Sequence, residues 1–359
     1  MSAPGSGGGW AGANVISVLG EAWTTASRVL RVQVAMSFPL LVARGLVPGI
    51  GAIHKFGKLP DIDSEGPLVV WGGTKGPYLG FTATGGEAIT VKAASGTADA
   101  GSLLSSGTAT SGTTTTLVDT GATFVTDTVA VGDIVINDTQ SDHGIITAIA
   151  ETTATVARWR HGTTPAASDA YRMVTAASTG AAVVRVQKLL DSAYSESVEY
   201  LILAHTTGVD TTGTDFIRNS RARVVLAGSG GANATVLTAT QKTSTGVIFW
   251  TIPVGYNSTM VACDTIPAGK TGYFTEWGAG VLGGNNGNLE VRLVAAPIGE
   301  PAQVLEEVSV KAAGTSMFER NYEIPKNALP AMTDIFIDAT STTANLSASG
   351  FFTLLLVDD

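Results

Sequence analysis

Apolar and polar residues alternate with a period of two along most of the chain, which predicts a protein built of strands. The clearest runs are 89–93 (ITVKA), 182–189 (AVVRVQKL), 198–204 (VEYLILA) and 222–228 (ARVVLAG). After residue 244 the pattern is denser: VIFWTIP, MVACDTIP, GYFTEWGAGVL, LEVRLVAAP, QVLEEVSV, DIFIDAT and FFTLLLVDD follow in turn. At least seven short strands joined by turns predict a jelly-roll-like β-sandwich over residues 244–359. Asn286-Gly287, inside GGNNGN, reads as a hairpin turn within it.

Residues 96–178 carry their own rhythm. Alternating runs at 115–118, 129–137, 144–149 and 153–159 are separated by turn residues at the ~8–12-residue spacing of a small β-barrel. Linker-like flanks (SGTADAGS and TAASTG) mark this stretch as a module inserted into a host β-domain, residues 46–95 and 179–243. On this reading the strands on either side of the module, ITVKA and AAVVRVQKL, pair with each other. Residues 46–80 hold Pro48, Pro60, Pro67 and Pro77 among many glycines, and read as an extended loop with no packed element.

The first 45 residues form an extended arm. Residues 1–13 (MSAPGSGGGWAGA) are too rich in glycine to order alone, so a partner surface is expected to hold them. Residues 15–27 could form a short helix, and 28–36 (RVLRVQVAM) alternates like a strand. No secretory signal is read, because residues 1–15 carry no positive charge and no apolar core. The apolar run 32–43 is 12 residues long with Pro39 inside it, short of the ~20 needed to span a bilayer, so no membrane insertion is expected.

Composition sharpens the picture. Charged residues make up only 14% of the chain while Gly alone numbers 43, which suits strands, tight turns and a surface covered by other subunits. The 21 Lys and Arg are scattered and outnumbered by 30 Asp and Glu, leaving a net charge of −9. Nucleic-acid binding needs a concentrated basic surface, so it is not expected. One cysteine, Cys263, rules out an intrachain disulfide, and the four histidines show no metal-ligand spacing.

Gly269-Lys270-Thr271 ends like a phosphate-binding loop, but Asp264 stands where the loop's first glycine belongs. Pro267 removes a backbone N–H that should face phosphate, and the residues after Thr271 alternate like a strand. The segment is therefore read as a hairpin turn with Lys270 at a solvated tip. Gly228-Ser229-Gly230-Gly231 is a glycine turn and not a nucleophile elbow. Asp142-His143 is read as a surface turn, Asp61 and Asp63 as loop and capping groups. Asp133, Asp138 and Asp142 lack the spacing of a calcium loop. No catalytic, cofactor-binding or metal-ligating residue is expected. Arg158-Trp159-Arg160-His161 has the composition of a contact cluster, open to a neighbouring subunit or a host surface glycan. Its plainer reading puts Trp159 in the module core with the arginines in solvent. Trp10, Trp23, Phe38, Phe56, Trp71 and Tyr78 complete the candidate contact residues.

Four segments together resemble a family of virion structural proteins from tailed bacteriophages. They are IHKFGKLPDID (53–63) with VWGG (70–73) and Tyr78, FIRNSRARVVLAGSGGANA (216–234), IPVGYNSTMVACDTIPAGKTGYFTEW (252–277), and FFTLLLVDD (351–359). Family members carry similar "KFG-NPDID", "AGSGGANAG", "TIPAGKTGYL" and "GFDLVLVDD" phrases. This chain departs at KLPDID, where the family often has Arg-Asn, and at the residue after Phe351, where an Asp is usual. The module 96–178 lies outside the resemblance. The resemblance implies a virion component without enzymatic activity, assembled in the host cytoplasm with capsid or tail proteins for partners; low charge, many glycine turns and strand edges that closure would bury add the expectation of a homotrimer. A capsid-attached fibre or decoration protein is the first expectation, and a tail-associated receptor-binding protein is the alternative.

Overall fold

The computed structural model describes residue 42 and residues 46–62, 68–70, 86–283, 287–311, 314–343 and 346–359, and every element in them is a strand. The N-terminal arm and the helix expected at 15–27 lie outside the described residues. The mostly-β fold class expected from the alternation holds throughout.

Eight strands build one sandwich: Ile50–Ile62, Cys263–Thr265, Lys270–Gly283, Asn288–Pro297, Gln303–Lys311, Gly314–Leu329, Thr333–Ser341 and Leu346–Asp358. Counted one to eight along the chain, they form an antiparallel sheet of order 1-8-3-6 facing another of order 2-7-4-5. That is the strand order of a jelly roll. Its core holds Ile53, Phe274, Trp277, Val291, Ile337 and Phe352, each contributed by an inward position of an alternating strand. Within the glycine- and proline-rich segment 46–80, residues 50–62 are thus a 13-residue edge strand and not a loop, while 63–67 and 71–80 lie outside the described residues. Pro60 is tolerated because the strand is an edge and its register shifts between Leu59 and Ile62. The strands on either side of Asn286-Gly287, Lys270–Gly283 and Asn288–Pro297, lie in opposite sheets and do not pair as the expected hairpin would have them, and Asn286 itself lies outside the described residues.

A short fifth strand, Leu68–Val69, also joins the second sheet beside Thr333–Ser341; the chain leaves the jelly roll only after it, and returns at Cys263. Between these points lies a second sandwich. One sheet is Glu196–Ile202, Ala181–Leu190 and Arg218–Ala227; the other is Val209–Asp210, Ile89–Ala93, Leu237–Gln241 and Ile248–Ile252. Ile89–Ala93 and Ala181–Leu190 do not pair, contrary to the sequence expectation. They lie in opposed sheets and share a core through Ile89, Val91, Val184, Val186 and Trp250. The strand Ile248–Ile252 also belongs here, pairing with Leu237–Gln241, and not to the C-terminal sandwich.

Residues 101–176 form a seven-stranded sheet around their own core of Leu117, Phe124, Val135, Ile146, Trp159 and Met173. Its end strands, Gly101–Thr108 and Ser111–Thr113, are consecutive in the chain, so the sheet rolls up until its ends meet. The fold is a nest: a jelly roll carries a sandwich, which carries a rolled module.

Candidate functional site

The segments that carry the phage resemblance sit at the joints of this nest. In KFG, Lys55 is buried against Asp264, with Nζ 3.6 Å from Oδ2. A Cβ on Gly57 would lie 2.1 Å from the Val70 carbonyl oxygen and 2.4 Å from the Ala262 nitrogen, so only glycine fits where these strands cross. In FIRN, Arg218 clamps Asp334 with two hydrogen bonds of 3.0 and 2.9 Å, tying the middle sandwich to the jelly roll. Asn219 accepts from the buried indole N–H of Trp250. In AGSGGANA, a Cβ on Gly228 would fall 1.7 Å from the Ser178 carbonyl oxygen at the module's exit. Asn233 and Asn257, from two different motifs, lock each other: each backbone N–H donates to the other's side-chain oxygen, at 3.0 and 3.1 Å.

The GKT segment is a corner, not a hairpin. Cys263–Thr265 and Lys270–Gly283 lie in different sheets of the jelly roll, and Gly269 turns the chain with φ +71°. Lys270 sits at the start of its strand, its Nζ 2.6 Å from Asp358 Oδ1 in the C-terminal VDD. Both side chains are substantially exposed. Lys270→Ala is expected to lower the unfolding free energy by less than ~1 kcal/mol in urea denaturation, the range of an exposed ion pair.

A different set of residues forms the most distinctive pocket. Where the module faces the middle sandwich, His143, Ile145, Arg158, Arg160 and His161 oppose Arg185, Gln187, Arg221 and Arg223 across a cleft of about 480 Å³. The floor follows from strand register. Arg185 pairs with Arg223 and Gln187 with Arg221 on neighbouring strands, so all four project from one face. Arg185 donates to Gln187 Oε1 and lies 5.9 Å over the Tyr200 ring. Tyr200 donates its hydroxyl hydrogen to the Ser141 carbonyl at 3.1 Å, which leaves its oxygen to accept from His143 Nδ1 at 3.0 Å. Burial pushes the Tyr200 hydroxyl up to about 12.

The wall is built by Asp142. It is fully buried and not the surface turn residue expected from TQSDHG. Its carboxylate accepts from the backbone N–H of His143 (2.7 Å), the backbone N–H of His161 (3.0 Å) and the Thr163 hydroxyl (2.7 Å), which fixes the 158–163 loop. Burial would raise its pKa, but the Thr163 hydroxyl and the backbone N–H groups of His143, His161 and Thr163 outweigh it and hold the group below the usual carboxylate range. Burial pushes His143 down to about 4, with Arg185, His161 and Arg160 adding to the effect and Asp142 opposing it. Burial and then Arg185 lower His161 as well, and burial followed by Arg221, Arg160 and Arg185 lowers Arg223. Both histidines are therefore neutral at pH 7, and the charge of the cleft is carried by guanidinium groups.

The candidate contact residues divide. Trp159 is only 2% exposed and packs in the module core, so it offers no face to a partner. Arg158, Arg160 and His161 are exposed and border the cleft. Phe56 is exposed on the outer face of the jelly-roll edge strand, near Met317. Trp10, Trp23, Phe38, Trp71 and Tyr78 lie outside the described residues. Asp138 forms a two-bond clamp with Arg172 and Asp133 accepts from the Ala130 N–H, so neither turns toward Asp142 as a shared cation site would require. The arginines of the cleft floor were missed in sequence because they come from two strands. The signal present was Arg221-x-Arg223 on one strand face.

Among the described residues no helix is long and apolar enough to cross a membrane. No protein-family model matches the chain, and no curated protein matches it. Among solved structures, a chain from the structure of infectious bursal disease virus, Gx strain, is similar at 10% identity over 86% of this chain and 76% of that one, with a TM-score of 0.19. Likeness of that size is too slight to define a shared fold.

Proposed function

We propose that the chain is a non-enzymatic structural component of a tailed-bacteriophage particle, a capsid-attached fibre or decoration protein held by its N-terminal arm. The observation that carries this reading is where the resembling motifs fall. Lys55, Gly57, Arg218, Gly228, Asn233 and Asn257 all act as joints between sheets, and none of them converges with another on a reacting group. Such motifs preserve a shape, which is what a particle component has to offer. A jelly roll with an exposed apolar outer face, carrying Phe56 and Met317, suits self-association into a trimer. Phage capsid proteins and copies of the chain are then its partners.

The basic cleft supports a second reading, a tail-associated receptor-binding protein whose cleft meets a ligand on the host surface. Deleting residues 1–45 separates the parts of the proposal. The truncated chain is expected to fold with an unchanged melting temperature and to be absent from purified particles by mass spectrometry. Truncated protein found on particles at the full-length copy number would overturn the arm as anchor. Localisation of the full chain by particle imaging decides between head and tail.

A further inference from the structure

The cleft between the module and the middle sandwich concentrates positive charge in a chain whose net charge is −9. Arg185 and Arg223 stand directly opposite each other on adjacent strands, an arrangement of like charges that destabilises a sheet. Arg221 shares their face, and Arg158 and Arg160 approach from the opposite wall. Among the described residues no carboxylate lies within ion-pairing distance of these five guanidinium groups. Elsewhere the chain pairs its arginines closely: Arg172 with Asp138, Arg218 with Asp334 and Arg292 with Asp338, each through two hydrogen bonds. Arginines placed for structure in this protein have carboxylates. Those of the cleft have none so close: Arg221 feels Asp264 only at longer range, where Lys55 already pairs with it, and Asp142 is turned into the 158–163 loop that it holds. The Nε of Arg185 is buried with no partner. Unmet donors and uncompensated charge around an open cleft are the complement of an anion.

We propose that this cleft binds a small polyanion, a ligand bearing at least two carboxylate or phosphate groups. The planar fork of guanidinium matches either oxyanion through paired hydrogen bonds. Two groups are required because the arginines form two sets, Arg185, Arg221 and Arg223 on the floor and Arg158 and Arg160 on the wall. The volume of about 480 Å³ falls in the ~300–1,000 Å³ range of small-molecule sites. Ile145, Ala157 and Val224 supply apolar walls for the ligand's carbon skeleton. The assignment holds whether the chain sits on a head or a tail.

Isothermal titration of the full chain with inorganic pyrophosphate and with citrate tests it, with uncharged trehalose as control. One or both anions are expected to bind at one site per chain, more weakly as salt is raised, while trehalose gives no heat. Binding of pyrophosphate alone identifies a phosphate ligand, and of citrate alone a carboxylate ligand. Arg185→Gln and Arg223→Gln are each expected to weaken binding at least tenfold. Thermal unfolding supplies an independent reading. In anion-free buffer Arg223→Gln is expected to melt higher than the parent, because repulsion is relieved, and to lose the rise that the bound anion gives the parent. The proposal is overturned if neither anion binds at millimolar concentration, if both variants bind as the parent does, or if Arg223→Gln melts lower without anion.

Discussion

Asp99→Ala is expected to lower the stability of the middle sandwich by about 3–5 kcal/mol, more than any other carboxylate replacement of similar size in that unit. Asp99 has no exposed surface. Its Oδ1 accepts from the backbone N–H groups of Ala181 at 2.7 Å and Ala234 at 2.9 Å. Its Oδ2 accepts from the backbone N–H of Thr235 at 2.9 Å and from the Thr235 hydroxyl at 2.7 Å. One side chain therefore ties three segments: the entry to the rolled module, its exit, and the AGSGGANA loop. The exit has no slack, since a Cβ on Gly180 would lie 2.2 Å from Asp99 Oδ1 and 2.6 Å from the Ala98 carbonyl oxygen. Removing the carboxylate leaves three buried N–H groups unmet, each costing ~1–3 kcal/mol before relaxation. Asp99→Asn is the decisive companion. It keeps the volume but points an NH₂ group at donors, so it should fall within ~1 kcal/mol of the alanine variant. A cavity effect would instead leave Asn close to the parent. Urea denaturation measures the loss, and hydrogen exchange at residues 181, 234 and 235 should speed up in both variants. Parent-like stability in Asp99→Asn would show that the clasp is not electrostatic.

Much of this fold was legible in the alternation of the chain, and the failures have one cause. Period-two patterning marks a segment as a strand and says which side chains share a face, but not which strand lies beside it. Residues 50–62 illustrate this. Their prolines and glycines argued for a loop, while their partner Leu346–Asp358 lies at the other end of the chain, with Ile50 opposite Val357. ITVKA and AAVVRVQKL were both strands, yet they meet face to face across a core and not edge to edge. The strand expected after Thr271 in the GKT segment is present, as Lys270–Gly283. What sequence could not give was that the segment turns between sheets. The cleft failed in the same way. Arg185, Arg221 and Arg223 counted as scattered basic residues until register placed them on one face. Trp159 and its neighbours could be read either way, and burial divides them, with the indole in the core and the guanidinium groups at the cleft.

Lys55→Met is expected to be the most damaging single change in the jelly roll. Lys55 and Asp264 have side chains only 4% and 2% exposed, with 3.6 Å between Nζ and Oδ2. They join the edge strand Ile50–Ile62 of one sheet to Cys263–Thr265 of the other, so the pair ties chain that precedes the inserted sandwich to chain that follows it. A buried ion pair contributes little net stability of its own, because desolvation offsets the attraction. Removing one partner is different, since it leaves a charge in a dry site at a cost of about 3–5 kcal/mol. Arg221 attracts the same carboxylate at longer range, which sets the expected loss at the lower end, about 3 kcal/mol. The double variant Lys55→Met with Asp264→Leu removes the stranded charge and should recover most of that loss, giving a coupling of roughly 2–3 kcal/mol in a double-mutant cycle. The single variant should also approach the parent as pH falls toward the carboxylate range, because a buried carboxylate deprived of its lysine takes up a proton more readily than one in the unfolded chain. Additive effects of the two substitutions, measured by urea denaturation at pH 7, would mean that Lys55 acts through packing of its aliphatic stem and not through Asp264.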